Sequence, residues 1–130
     1  MSTVEIEFDG GSRPNPGPAA IGYSVESANW REERNAHIGE STNNKAEYHP
    51  LIQALELAVE RESKRVVAKG DSKLVVNQVR GDWDVNDGGL SEHHGRVRTL
   101  TNKFESFEIQ HVPREENSDA DDLVDRIFSE

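Results

Sequence analysis

One amphipathic helix separates three strand-like segments from a fourth, and that order constrains the fold more than any other feature of the chain. Tyr48, Leu51, Ile52, Leu55, Ala58 and Val59 recur at helical spacing and predict a helix from about Asn44 to Glu62. Before it, Val4, Ile6 and Phe8 alternate with Glu5 and Glu7, the pattern of a strand with one wet face. Ala19 to Ser27 and Trp30 to Ile38 read as two more strands, the second polar enough for a sheet edge. Gly10 to Pro18 holds three Pro and three Gly and reads as a turn or loop. Short loops make the first three strands antiparallel. After the helix, Val66 to Lys69 reads as a short buried strand, and a right-handed crossover sets it parallel to the first. If those two strands are neighbours, Asp9 and Asp71 both lie at carboxyl ends, on strands about 4.8 Å apart. Ligand sites of open α/β sheets form there.

The remaining segments complete a mixed α/β domain. Pro50 removes a backbone bond to the Ala46 carbonyl, so a local irregularity is expected inside the long helix. Ser72 to Val79 reads as a short helix and Gly81 to Leu90 as a loop with three Asp and three Gly. Ser91 to Lys103 reads as a third helix with Ser91 as its N-cap. Phe107, Ile109 and His111 alternate on a fifth strand, and Pro113 to Asn117 turns into a last helix from Ser118 to Phe128. With no repeat, linker or low-complexity tract, residues 1–130 are expected to form one domain.

Composition narrows the function classes. No run approaches the roughly 20 apolar residues of a membrane span. Met1 to Glu7 has neither the basic start nor the apolar core of a signal peptide, so a soluble cytoplasmic protein is expected. Zero cysteine excludes disulfides, thiolate zinc sites and a cysteine nucleophile. Twenty-five acidic residues face fifteen basic ones, of which only five are Lys. An acidic, lysine-poor surface suits solubility in concentrated salt, a halophilic trait. It lacks the basic footprint usual for a nucleic-acid binder.

Four acids stand apart from this background by their settings. Asp9 closes the first strand before Gly10-Gly11-Ser12, and Glu47 opens the long helix after Asn43-Asn44. Asp71 follows the fourth strand, and Asp121 starts the last helix after Asn117. Oxygen donors without thiolates suit a hard cation such as Mg²⁺. Either helix acid taken alone also suits simple helix-dipole pairing.

The settings together resemble the type 1 ribonucleases H. The matching motifs are Phe8-Asp9-Gly10-Gly11-Ser12 with Asn15-Pro16-Gly17-Pro18, then Thr42-Asn43-Asn44-Lys45-Ala46-Glu47-Tyr48. They continue with Gly70-Asp71-Ser72-Lys73-Leu74-Val75 and end with His111-Val112-Pro113-Arg114-Glu115, Asn117 and Ala120-Asp121-Asp122-Leu123. The resemblance implies a ribonuclease H-like five-stranded mixed sheet, three antiparallel strands then two parallel, flanked by helices. It implies an endonuclease that hydrolyses the RNA strand of RNA–DNA hybrids and leaves 3′-hydroxyl and 5′-phosphate ends. Two Mg²⁺ (or Mn²⁺) ions, about 4 Å apart, would be held by Asp9, Glu47, Asp71 and Asp121. The family spacing from Asn117 and Leu123 selects Asp121, leaving Asp119, Asp122 and Asp125 as bystanders, the last two facing solvent.

Substrate contacts are implied for Gly10, Gly11, Ser12, Asn15, Thr42, Asn43, Asn44 and Lys73. The glycines would let backbone approach a strand closely, and the amides would read the 2′-hydroxyl that distinguishes RNA from DNA. Turn and cap chemistry is the competing account of the asparagines. Bacterial and animal members carry a basic helical protrusion where this chain has only Gly81 to Leu90. That leaves Arg13, Lys45, Lys73, Arg80 and Arg114 for phosphates. For the residue assisting turnover, His111 and Arg114 both stand as candidates, whereas His93 and His94 read as helix-surface residues. A monomer is expected, and double-stranded RNA is a further conceivable substrate. A non-catalytic hybrid-binding or double-stranded-RNA-binding module is disfavoured, because a pure binder has no reason to gather repelling acids. Another nuclease of the same superfold is disfavoured by the asparagine pair and the compact length.

Overall fold

The computed structural model describes residues 3–86 and 88–129. Asp87, expected in the acidic loop, and the chain ends Met1, Ser2 and Glu130 lie outside the described residues. The elements run β1 (Thr3–Ser12), β2 (Gly17–Glu26), β3 (Arg31–Ser41), α1 (Asn43–Glu60), β4 (Arg65–Gly70), α2 (Lys73–Arg80), α3 (Gly88–Thr101), β5 (Ser106–His111) and α4 (Ser118–Phe128). A 3₁₀ turn, Arg114–Asn117, precedes α4. The five strands form one sheet in the order β3-β2-β1-β4-β5. β1–β2 and β2–β3 are antiparallel; β1–β4 and β4–β5 are parallel. The expected mixed sheet and the crossover through α1 are both present.

The alternation in β1 decides which face carries what. Val4, Ile6 and Phe8 are buried together with Tyr48, Leu51 and Leu55 of α1. On the other face, β2 presents Ala20 and Gly22 to α4, where Ala20 packs with Val124 and Ile127. A Cβ at Gly22 would lie 2.7 Å from Leu123 Cβ, so a bare residue is needed for α4 to sit this close. β3 is exposed along most of its length, as its polarity predicts, and is edged by ion pairs of Arg31 with Glu26, Glu33 and Asp119.

Several local expectations change. α1 runs unbroken through buried Pro50, without the expected irregularity. Proline offers no N–H to the Ala46 carbonyl, and it is against that carbonyl that Gly10 of β1 packs; an added Cβ there would overlap it. α3 starts at Gly88, not Ser91, so Ser91 is an interior residue and not an N-cap. Leu90, buried in the main core, draws the earlier turn into the helix despite its glycines. β3 extends to Ser41, beyond the predicted Ile38.

Candidate metal and nucleic-acid site

Parallel pairing of β1 with β4 matches Phe8 to Gly70, so the next residues, Asp9 and Asp71, emerge side by side. Glu47 joins them from the first turns of α1. One carboxylate oxygen from each of Asp9, Glu47 and Asp71 lies within 4.8 Å of the others. Asp121, in the first turn of α4, forms a hydrogen bond with Asp9. Asp9, Glu47 and Asp71 thus line a cleft of about 540 Å³ at one end of the sheet, and Asp121 stands beside it, grouped also with Asp122 and Asp125.

Three residues to which the sequence assigned no site role, Asn117, Glu7 and Ser72, surround this arrangement. Asn117, fully buried, donates from Nδ2 to the Phe8 carbonyl at 2.9 Å and also hydrogen-bonds Asp71. Glu7 faces the backbone N–H groups of Asp119 and Ala120 at the start of α4, with its Oε1 buried and unpartnered. The start of α4 is therefore fastened to β1 immediately before Asp9. Ser72 has two tasks: its Oγ accepts from Val75 N at 3.2 Å to cap α2, and its hydroxyl bonds Glu47. A serine before a helix was the visible signal for Ser72. For Asn117 the only signal was its spacing from Asp121.

Burial and mutual repulsion dominate the electrostatics. Burial, followed by the charges of Asp71, Asp121 and Glu47, pushes the Asp9 pKa up to about 8. Burial raises Glu47 to about 7, against the bond from Ser72. Asp71 is also raised by burial, opposed chiefly by the Arg114 charge. Arg114 places Nε and Nη2 3.0 and 2.7 Å from the same oxygen of Asp121, leaving the other oxygen free of it. Oxygen-only donors whose ionised forms repel one another fit one or more hard divalent cations.

The rim divides the predicted binding residues. Asn43 Oδ1 accepts from Ser12 N at 2.8 Å, and Asn15 Oδ1 accepts from Asn43 N at 3.1 Å. Their carbonyl oxygens are committed to the fold, and among the described residues their Nδ2 groups have no partner. Thr42 caps α1 by accepting from Lys45 N at 3.3 Å. Asn44 is exposed beside it, and Gly11 is half-buried. Gly10 is buried, its missing side chain serves the contact with α1, and it also lines the cleft. Arg13 lies over the Phe128 ring at 4.3 Å and pairs with Asp125 at 2.9 Å, so Asp125 faces solvent as expected but is ion-paired. Arg80 pairs weakly with Asp82 at 3.9 Å. Lys45 and Lys73 form no ion pair among the described residues. His111 is exposed and lines the cleft.

His93 and His94 are not simple surface residues: His94 Nε2 lies 3.0 Å from the Gln78 carbonyl, and His93 packs against His49 of α1.

Comparison with known proteins agrees with this geometry. Residues 7–127 match the family model described as reverse transcriptase-like. The chain is 42% identical over 129 residues to ribonuclease HI of Halobacterium salinarum, covering 98% of itself and 65% of that protein. It is 40% identical to a bifunctional protein of Mycobacterium tuberculosis, of which it spans 34%. The crystal structure of the Halobacterium salinarum ribonuclease H1 superposes with a TM-score of 0.91 at 42% identity, covering 98% of each chain. The N-terminal ribonuclease H domain of the Mycobacterium tuberculosis protein gives 0.92 at 39% identity, over 95% of this chain and 97% of that one. The LC11 ribonuclease H1, crystallised in complex with an RNA/DNA hybrid, gives 0.86 at 34% identity, over 96% and 99%. From the ordered motifs, the sheet and these matches, the chain belongs to the type 1 ribonuclease H family.

Proposed function

We propose that residues 1–130 form one catalytic domain that hydrolyses the RNA strand of RNA–DNA hybrids. The observation that carries this reading is the convergence of Asp9, Glu47 and Asp71 within 4.8 Å, with Asp121 bonded to Asp9. Asp9, Glu47, Asp71 and Asp121 would hold two Mg²⁺ or Mn²⁺ ions. When bound, such ions supply Lewis acidity and a charge clamp for a phosphodiester hydrolysis that leaves 3′-hydroxyl and 5′-phosphate ends. Asp9 would be the ligand shared by the ions, since the charges of Asp71, Asp121 and Glu47 all bear on it. Arg114 orients Asp121 through one oxygen and leaves the second for metal. His111, at the cleft edge, is the alternative proton carrier for turnover.

The free Nδ2 groups of Asn15 and Asn43 supply donors to the 2′-hydroxyl oxygen and base-edge acceptors of the hybrid. Thr42, Asn44, Ser12 and the Gly11 backbone complete that rim, and Lys45 and Lys73 face phosphates. With so few free cations, binding rests on hydrogen bonds and metal ligation, which suits a monomer working in concentrated salt. The LC11 relative, crystallised with an RNA/DNA hybrid, supports the same substrate.

End-labelled hybrid incubated with Mg²⁺ or EDTA tests the reading, with wild type and Asp121→Asn in parallel. Cleavage is expected only for wild type with Mg²⁺. Its absence refutes the assignment, and equal cleavage of double-stranded RNA corrects the substrate.

A further inference from the structure

α1 and α3 carry a pair of imidazoles whose arrangement the carboxylate cleft does not explain. His49 of α1 and His93 of α3 bring their Nε2 atoms to 3.4 Å. Their rings meet edge to face, with centroids 4.9 Å apart and planes at 83°. Both residues are half-buried, and neither lines the cleft. A separation of 3.4 Å is long for a hydrogen bond between ring nitrogens, since N–H donors prefer about 2.7–3.2 Å. It equals the spacing of two nitrogens on one tetrahedral Zn²⁺: bonds of about 2.0–2.1 Å at the tetrahedral angle place them about 3.4 Å apart.

The tautomer also fits. His93 Nδ1 lies 2.7 Å from the Gly89 carbonyl oxygen. A carbonyl only accepts, so Nδ1 carries the proton and the neutral ring presents a bare Nε2 lone pair toward His49. A backbone carbonyl holding the far nitrogen is the usual support of a metal-bound histidine, fixing both tautomer and ring orientation. The Tyr48 ring, 6.0 Å away by centroid, packs beside His93. Tyr48 is anchored in turn by a 2.6 Å bond from its hydroxyl to Gln78.

We propose that His49 and His93 form a second metal site, a two-imidazole clasp for a borderline transition ion such as Zn²⁺ that joins α1 to α3. Its chemistry differs from that of the cleft. Imidazole favours Zn²⁺, Cu²⁺ or Ni²⁺, whereas four carboxylates favour Mg²⁺ or Mn²⁺. Two protein ligands leave two positions for water, so the clasp binds more weakly than four-ligand structural zinc sites. A bound ion would brace α1 against α3 just beyond Glu47 while leaving the cleft's oxygens to the hard ions.

The test is calorimetric titration of Zn²⁺ into the whole chain in saturating Mg²⁺, which occupies the carboxylates. One Zn²⁺ per chain and a rise in Tm are expected. His49→Gln and His93→Gln each weaken binding roughly tenfold or more, and His94→Gln leaves it unchanged. No Zn²⁺ uptake by wild type, or uptake by both glutamine variants as tight as that of wild type, overturns the proposal. Should a variant fail to fold, imidazole ¹⁵N spectra of wild type decide: Zn²⁺ must shift Nε2 of both His49 and His93, and shifts confined to other histidines overturn it.

Discussion

Neutralising one of the clustered acids should make the metal-free protein more stable, and Asp9→Asn is the sharpest case. Asp9 is held at about 8 against an ordinary 3.8, first by burial and then by Asp71, Asp121 and Glu47. An acid with a raised native pKa stays protonated in the folded chain while the unfolded chain has already ionised. Its penalty is therefore absent below about pH 4, grows through neutrality, and is complete above about pH 8. At pH 7 the gap spans about 3 units, which at 1.36 kcal/mol per unit sets a ceiling of about 4 kcal/mol. Neighbouring acids share the strain and relax when one is neutralised, so about 2 kcal/mol is the expected gain. The asparagine amide can still donate to Asp121, so geometry is preserved. Urea unfolding in EDTA at pH 4, 7 and 8.5 reads the effect. With an m-value of about 2 kcal/mol/M the midpoint rises by about 1 M at pH 7 and converges with wild type at pH 4. Adding Mg²⁺ should narrow or invert the order, because wild type gains more binding energy. A variant no more stable than wild type at pH 7, or an offset independent of pH, would refute the reasoning.

Three further outcomes follow from the same geometry. Arg114→Ala removes the charge that opposes the rise at Asp71, so the acid limb of the Mg²⁺-dependent rate profile should move to higher pH; an unmoved limb contradicts that interaction. Gly10→Ala forces a Cβ into the Ala46 carbonyl and should cost about 3 kcal/mol in urea unfolding, with a cost near zero showing that the strand yields easily. Hybrid binding by Asp121→Asn should give a log–log salt slope no steeper than about −3, because few cations are free to displace counterions. A slope several units steeper would mean that phosphate contacts dominate after all.

The sequence revealed most where a local pattern had a global consequence. Alternation in β1 and helical spacing in α1 together required the crossover that sets Asp9 beside Asp71. Asp121 was legible only through its spacing within a known motif, since it sits among four other acids between Glu116 and Asp125. What stayed hidden depends on contacts between distant segments. Asn117 reads as a turn residue until Phe8 and Asp71 are placed around it. Likewise, His93 reads as surface until α3 lies against α1. The start of α3 was misplaced because a glycine pair weakens helix propensity locally, while burial of Leu90 overrides it.

The contact of Gly10 with Ala46 has a consequence for how such a chain can change over time. β1 and α1 meet there backbone to backbone, one residue from Asp9 and one from Glu47. Their separation is thus gauged by main-chain atoms that every sequence shares, and not by the sizes of side chains deeper in the interior. Leucines and valines below can be exchanged, and the packing can drift, while the distance between two of the clustered acids stays calibrated. The tolerance ends at Gly10 itself, where a single methyl group would reset the gauge.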